Sequence, residues 1–314
     1  MKDCVFLKAG ERFYKANLHC HTTESDGNLT PEETKKEYKN RGYSVVAFTD
    51  HCKYSWHREL DDEEFLALAA YEFQVDEQPW GNRARTYHVN LYDCAPWDKT
   101  EEKQNTCLPG CIYGDVEGLN KFVEKMRLRG FLACYNHPYW SLQTMEDYRG
   151  LEGFWAMEVY NYNCDQEGMY GSHAQAYDEM LRAGQKLFCV AADDNHDCFS
   201  LGHPLNDSFG GFIMIQAEEF SYQGIIKALK EGCFYSSMGP EIQALEVKDG
   251  KIVVKTSPVS RIYLKQQGRE CRCAAAAGDK LEGAEFPLDG REGYVRVECR
   301  DARGQYAWSN AYFL

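Results

Sequence analysis

The sequence lacks long hydrophobic runs. Its wholly apolar stretches, such as 187–192, are far shorter than the roughly 20 residues that a membrane-spanning helix needs. The opening residues, MKDCVFLKAGERFY, do not contain the apolar segment of a signal peptide. We therefore expect a cytoplasmic protein that has no membrane partner.

Positive charge is also scarce. Lysine and arginine number 35 against 49 aspartates and glutamates, which gives a net charge of −14. This balance argues against nucleic acid as a general partner, because phosphate backbones attract basic surfaces. The 44% hydrophobic and 27% charged residues are ordinary for a globular protein, and 314 residues suggest two domains or one large domain with an appendage.

A disulfide framework is absent too. The 14 cysteines are scattered through strand-like segments and show no regular spacing, which is typical of reduced, mostly buried thiols. Cys271 and Cys273 form a lone C-x-C without a second cysteine or histidine cluster beside it. We interpret that pair as structural and not as a zinc site.

What the sequence does contain is an alternation of short β-branched or aromatic runs with helical stretches over about residues 14–238. This rhythm predicts βα units and a parallel sheet. The predicted strands are 16–21, 44–49, 65–73, 88–92, 131–136, 154–160, 187–192 and 211–216. Seven or eight such units suit a closed barrel, in which functional groups follow the C-terminal ends of the strands.

The pattern changes after a predicted helix over 222–231 and a turn at Gly239-Pro240. From there, period-two alternation with glycine-containing turns predicts antiparallel strands, as in 251–256 and 294–298. We therefore divide the α/β protein into a barrel over 1–238 and a small antiparallel β domain, sandwich-like, over 239–314.

The end of the first predicted strand carries two histidines, His19 and His21. Positions i and i+2 of a strand project to the same side, so both imidazoles can face one site while Cys20 faces away. Asp26 follows in a turn that Gly27 permits. This donor set suits a divalent cation such as manganese, iron or zinc.

Other predicted strand ends carry the same kinds of side chain. They supply His51, Glu72, His88, His137, Asp194 and His196. A single histidine of this kind is more often a satisfied core or rim residue, but so many together favour a site for more than one metal ion. Glu158, near the end of the sixth strand, is a weaker candidate.

These residues resemble the motifs of the PHP family, the metal-dependent phosphoesterase domain named for bacterial DNA polymerases and histidinol phosphatases. The matching motifs are H-x-H-T-x-x-S-D-G at 19–27, T-D-H at 49–51, His-Pro at 137–138 and D-x-H at 194–196. The segment 231–240 and the β-rich tail ending Trp308-Ser-Asn310 resemble the two-domain members. The likeness covers about residues 14–238.

The resemblance implies a distorted seven-stranded (β/α) barrel of the PHP type with two or three divalent ions. One ion would be held by His19, His21, Glu72 and Asp194. A second would share Glu72 and add His88 and His137, and a third would use Asp26, His51 and His196. A water bridging two cations, which we assign to Glu72 and Asp194, would become acidic enough to attack an ester at neutral pH.

The expected substrate is a small phosphorylated metabolite. Arg83 and Arg85, in a polar loop before His88, are candidates to bind its phosphate, and His203 is a further candidate at the mouth. Many relatives carry an arginine before the third-motif histidine, whereas this chain has Asn136. That departure leaves open a second hypothesis, a hydrolase of carboxylic or carbamic esters on the same scaffold. A non-catalytic binding protein is the third hypothesis.

Overall fold

The computed structural model describes residues 2–78, 84–98 and 111–314, and it shows a mixed α/β protein. The helices are α1 (Pro31–Lys39), α2 (Val116–Leu128), α3 (Met145–Tyr148), α4 (Tyr162–Gln166), α5 (Ala174–Arg182) and α6 (Tyr222–Glu231), with a 3-10 turn at Arg58–Leu60. None of these helices is long and apolar enough to cross a membrane.

The strands are short and numerous. In the first part of the chain they are β1 (Cys4–Leu7), β2 (Phe13–Asn17), β3 (Tyr43–Phe48), β4 (Leu66–Asp76), β5 (Thr86–Asp93), β6 (Phe131–Tyr135), β7 (Ala156–Asn161), β8 (Phe188–Ala192), β9 (Phe212–Gln216) and β10 (Phe234–Ser237). In the last part they are β11 (Ile242–Lys248), β12 (Lys251–Val259), β13 (Arg261–Gln266), β14 (Arg272–Ala275), β15 (Leu281–Pro287), β16 (Tyr294–Arg300), β17 (Tyr306–Ser309) and β18 (Tyr312–Phe313).

Helix α1 shows how local sequence positions the elements around the site. The Thr30 hydroxyl accepts a hydrogen bond from the Glu33 N–H, and the Glu33 carboxylate accepts one from the Thr30 N–H. This capping box, with Pro31 in the first turn, starts the helix. Gly42, at a φ of 78°, then reverses the chain into β3.

One large sheet contains the strands that lead to the site. Its order is β14-β13-β16-β17-β10-β9-β2-β3-β4-β5-β6-β7-β8, with β18 also paired to β16. The pairs β2–β3, β3–β4, β6–β7 and β7–β8 are parallel, as the βα rhythm predicts. The C-terminal ends of these strands therefore lie at a common edge.

Strand β5 departs from the expected parallel arrangement, since it is antiparallel to both β4 and β6. Only residues 77–85 connect β4 to β5. A parallel return needs a crossover of a dozen or more residues, so this short connection can only make an antiparallel neighbour.

Strands β2 to β8 form a run of seven, but no continuous ladder among the described residues joins β8 back to β2. The edge of β2 that β8 would have to join is paired instead with β9, which runs antiparallel to β2. Beyond the end of β2, a single parallel bridge between Cys20 and Asn195 links the segments that follow β2 and β8. Closure into a seven-stranded barrel therefore stays a prediction.

The second sheet is antiparallel and has the order β1-β11-β12-β15. It packs on a shared core with β13, β16 and β17 of the large sheet, around Leu245, Val254, Ile262 and Val297. The first strand of the chain thus lies in the C-terminal sheet, because β1 pairs with β11. The domain division after residue 238 remains a proposal.

Candidate metal centre

The segments after β2 and β8 bring the first group of side chains together. The His21 N–H donates to the Asn195 carbonyl, and the Asp194 N–H donates to the His19 carbonyl. His19 and His21 therefore point to one side of the extended chain, beside Asp194. Asp194 itself has a φ of 57°, a left-handed conformation that is uncommon outside glycine.

The loop after His21 is folded tightly over this group. The Asp50 carboxylate accepts hydrogen bonds from the Thr22 N–H at 2.8 Å and the Ser25 hydroxyl at 2.7 Å. A Cβ on Gly27 would lie 2.4 Å from the His21 carbonyl oxygen, so only glycine fits there. This packing carries Asp26 towards His21, His51 and His196.

Glu72, on β4, is the centre of the site and is fully buried. Its Oε1 lies 3.0 Å from His88 Nδ1, 3.3 Å from His19 Nε2 and 3.6 Å from His137 Nε2. Its Oε2 lies 3.0 Å from His51 Nδ1 and 3.4 Å from His21 Nε2. One carboxylate thus faces five imidazoles from four different segments of the chain.

The spacing of these atoms suits a shared cation. His19 Nε2 lies 3.1 Å from His21 Nε2, and Asp194 Oδ1 lies 3.0 and 3.1 Å from the same two atoms. Two ligands about 2.1 Å from one ion would be about 3.0 Å apart at a right angle and about 3.4 Å apart in a tetrahedron. His19, His21, Glu72 and Asp194 therefore fit one divalent ion.

Three further groups of possible ligands lie beside this one. His21, Asp26, His51 and His196 offer ligand atoms within 4.8 Å of one another, and so do His51, Glu72 and His88. His137 is grouped with His19 and Glu158, and it also lies 3.7 Å from Asp194. The predicted second set of Glu72, His88 and His137 is thus close together, but His51 is the nearer companion of Glu72 and His88.

Three histidines have one ring nitrogen fixed by an oxygen. His19 Nδ1 lies 2.7 Å from Glu158 Oε1, His137 Nδ1 lies 3.1 Å from Ser141 Oγ, and His196 Nδ1 lies 2.9 Å from the Asp194 carbonyl oxygen. Protonation at Nδ1 satisfies each contact and leaves the Nε2 lone pair free. This is the arrangement in which histidine binds a metal ion.

The charges in this buried group are strongly coupled. Burial disfavours the charged form of His19, but the carboxylates of Asp194, Glu72 and Glu158 outweigh it and hold its pKa well above the usual value. Burial and repulsion from His196 lower the pKa of His21 to about 4.

The carboxylates respond in the opposite direction. Burial would raise the pKa of Glu72, but His88, His19 and His51 hold it well below the usual value. Burial is likewise outweighed at Asp194, where His19 lowers the pKa. Both groups are therefore ionised acceptors at neutral pH, as metal ligands must be.

The predicted substrate residues have different surroundings. Arg83 lies outside the described residues. The Arg85 guanidinium binds Glu77 at 2.8 Å and Asp147 at 3.2 Å, and neither carboxylate belongs to the groups around Glu72. His203 is exposed, stacks on Phe199 with ring centroids 4.6 Å apart, and accepts from the Leu205 N–H.

Two residues matter more than the sequence indicated. Glu158 is buried and also accepts from the His137 N–H at 3.1 Å and from Asn161 at 2.9 Å, so it orients two candidate ligands at once. Asn136 donates to Glu72 Oε1 at 2.8 Å, while its own Oδ1 is buried without a hydrogen-bond partner. The sequence offered one signal for each residue: Glu158 is an acid near the end of a predicted strand, and Asn136 is an amide directly before His137.

No protein-family model and no curated protein matches the chain. In solved structures, the chain is similar to a two-domain protein from Bacteroides vulgatus that contains a predicted PHP-like metal-dependent phosphoesterase. That likeness has a TM-score of 0.49 and 14% identity, over 98% of this chain and 97% of the other.

Two further structures are similar over a smaller part of the chain. One is a protein from Bifidobacterium adolescentis proposed to be a metal-dependent phosphoesterase, with a TM-score of 0.38 and 15% identity over 62% of this chain and 92% of the other. The second is an amidohydrolase from Chromobacterium violaceum with bound sulfate and no metal, with a TM-score of 0.37 and 16% identity over 58% and 87%.

Proposed function

We propose that this protein is a metal-dependent hydrolase of small esters, and that phosphate esters are its first substrate class. The observation that carries the proposal is the position of Glu72, buried among His19, His21, His51, His88 and His137 with Asp194 alongside. A set of imidazoles and ionised carboxylates this dense suits the binding of divalent cations, which would take the place of the protons on the histidines.

The ligands divide among two or three ions. His19, His21, Glu72 and Asp194 would hold the first, and Glu72 with His88, His137 and His51 would serve the second. Asp26, His51 and His196 would hold a third, so His51 lies between two sets. Manganese, iron and zinc all suit this mixture of imidazole and carboxylate.

Divalent ions bound in this way make a water more acidic and neutralise charge that develops on the ester oxygens. The protein's own groups would orient that water. Glu72 Oε2 is buried and lies 3.0 Å from His51 Nδ1 and 3.4 Å from His21 Nε2. With those imidazoles bound to metal, this oxygen would orient the attacking water together with Asp194 Oδ1, which faces the imidazoles of His19 and His21.

The surroundings of the site also favour a second candidate, hydrolysis of a carboxylic or carbamic ester. Phosphate recognition usually needs a free cation. Among the described residues, Lys53 follows the site residue His51 but pairs with Glu24 at 2.8 Å, and Arg85 is bound by two carboxylates. Asn136 presents a neutral amide beside Glu72. A carbonyl substrate would need no additional cation.

The test combines metal analysis with a substrate screen. Protein purified without chelator is analysed by mass spectrometry for manganese, iron and zinc, and is assayed on phosphate monoesters, phosphodiesters and carboxylic esters. Two or three ions with chelator-sensitive phosphate release would support the first candidate. Turnover of carboxylic esters alone would support the second, and protein without metal would reject both.

The variant His19→Ala/His21→Ala connects the metal to the assigned ligands. We expect it to lose at least one ion per chain and the hydrolytic activity with it. His57→Ala is a matched control, because His57 contacts Glu59 and Phe48 outside the cluster. Unchanged metal content in the double variant would remove the site as assigned.

A further inference from the structure

Large apolar side chains are exposed in an uneven pattern. Among the described residues, twelve are exposed, and six of them lie in the segments that follow β6, β7 and β8: Tyr139, Leu142, Met145, Tyr170, Phe199 and Leu205. His137 and Asp194 follow β6 and β8, and Glu158 lies within β7. Tyr139 and Tyr170, whose rings are in contact, form an exposed apolar patch, and such a patch beside a polar site is a mark of ligand binding.

Trp140 joins this patch to the metal centre. Its ring centroid lies 5.1 Å from that of His137 and 5.6 Å from that of His88. Its indole N–H donates to Glu167 at 2.6 Å, which fixes the plane of the ring. The half-buried indole therefore forms a wall between the candidate ligands and the solvent-exposed rim.

Tyr139 and Tyr170 extend the wall outwards. Their rings meet edge to face with centroids 5.2 Å apart, yet 49% of Tyr139 and 69% of Tyr170 remain exposed. Tyr170 and nearby Leu142 adopt φ angles of 49° and 57°, which are strained for such large side chains. These exposed apolar residues thus adopt strained backbone conformations, which often occur in ligand-binding loops.

We propose that Tyr139, Trp140 and Tyr170 form an aromatic subsite, which binds a flat aromatic ring of the substrate next to the metal centre. This inference rests on the proposed hydrolase, whose scissile bond would lie at the metals while the ring packs against the aromatic wall. The occupant is the small ester of the proposed hydrolase, because Trp140 contacts the candidate ligand His137 with ring centroids 5.1 Å apart and so joins the exposed tyrosines to the metal centre. Aromatic side chains bind such rings by stacking and by edge-to-face contact.

A pair of non-hydrolysable ligands isolates the contribution of the ring. Phenylphosphonate and methylphosphonate share their phosphonate and differ in the aromatic group, and their affinities are measured by isothermal titration calorimetry on protein purified without chelator. We expect phenylphosphonate to bind about tenfold more tightly. In Tyr139→Ala/Trp140→Ala/Tyr170→Ala, which removes all three rings, the ratio should fall to about one, through weaker binding of phenylphosphonate alone.

The matched control is Tyr139→Phe/Tyr170→Phe, which keeps both rings and should keep the preference. Leu128→Ala, an exposed apolar residue at the end of α2, should also change nothing. Equal affinities in the unaltered protein, binding of neither ligand, or a preference that survives the alanine variant would each overturn the subsite.

The subsite and the hydrolase fail in distinguishable ways. A phenyl preference in a protein that hydrolyses no ester would keep the subsite and reject the hydrolase. Hydrolysis of an ester together with equal affinities for the two phosphonates would keep the hydrolase and reject the subsite.

Discussion

Two buried groups of charges in this protein are balanced in opposite ways. One group surrounds Arg296, which lies on β16 in the C-terminal part of the large sheet. The Arg296 guanidinium is fully buried and lies 2.6 Å from both Asp178 of α5 and Glu298. Lys265 lies 3.2 Å from Glu298, so two cations face two carboxylates.

The other group surrounds Glu72. Among the described residues, no lysine or arginine forms an ion pair with Glu72, Asp194, Glu158 or Asp26, and the ion pairs that they do form are all with histidines. Because burying unbalanced charge is costly, the carboxylates around Glu72 need positive charge from protonated histidines such as His19 or from bound cations, whereas Asp178 and Glu298 already have Arg296. We propose that the group around Glu72 binds cations and that the group around Arg296 is neutralised within the fold.

The largest expected effect comes from breaking the balanced group. Arg296→Met leaves Asp178 and Glu298 buried with Lys265 alone beside them, and should lower the free energy of unfolding by about 3 to 5 kcal/mol. Urea denaturation measures the loss, and metal content per folded chain should not change.

Arg303→Met is the matched control for that experiment. Arg303 also pairs with an aspartate, Asp301 at 3.0 Å, but 76% of its side chain is exposed. Exposed pairs contribute about 1 kcal/mol or less. Equal losses in the two variants would contradict the view that Arg296 is a buried, self-balanced cluster.

The next effect concerns Glu72→Gln, which removes one charge from the unbalanced group without changing its shape. We expect metal affinity to fall by about a hundredfold or more, since this carboxylate faces two ligand sets. At saturating metal, a hundredfold loss removes about 2.7 kcal/mol of metal-dependent stability. Thermal unfolding with and without added manganese or zinc measures it, and exposed Glu64→Gln is the control. A metal-induced shift as large as in the unaltered protein would show that Glu72 is not a ligand.

A smaller effect should follow from Glu158→Gln. Glu158 contacts His19 Nδ1 at 2.7 Å and orients that imidazole without being needed as a ligand. Loss of such an orienting carboxylate typically costs 10- to 100-fold in metal affinity. Competition with a chromogenic chelator would quantify it. An effect larger than that of Glu72→Gln would make Glu158 a ligand in its own right.

The comparison of the two groups also shows what the sequence could predict. Seven of the eight strands predicted before residue 238 are present close to their predicted bounds, because hydrophobic runs and glycine stops are local signals. The first, predicted over 16–21, is instead Phe13–Asn17, so His19 and His21 follow the strand and do not lie in it. The shared direction of His19 and His21 follows from the period of two in an extended chain. These features need no knowledge of distant residues.

Long-range pairings are where prediction from the sequence failed. Residues 294–298 alternate between polar and apolar side chains, which predicts a strand with one solvent-exposed face. In the structure, however, Tyr294, Arg296 and Glu298 are as buried as their neighbours. Asp178, 118 residues away, neutralises Arg296 and makes that burial possible. The pairing of β1 with β11 and the contact of Glu158 with His19 likewise depend on residues that only the fold brings together.

The smallest predicted effect concerns His173, a buried histidine that belongs to neither group. It is 3% exposed, and its Nε2 has no hydrogen-bond partner within the part of the chain that the structure describes. Burial and repulsion from His137 lower the pKa of His173 to about 3.

As the pH falls below 6.5, the ordinary pKa of histidine, His173 becomes protonated in the unfolded chain but stays neutral in the folded protein. The free energy of unfolding should therefore decrease as the pH falls. Between pH 7.5 and 5.5 the loss should be about 1 kcal/mol greater than in His173→Gln, as measured by urea denaturation at both values. Because each protein serves as its own reference at pH 7.5, an equal loss in the two would mean that the folded protein protonates His173 after all.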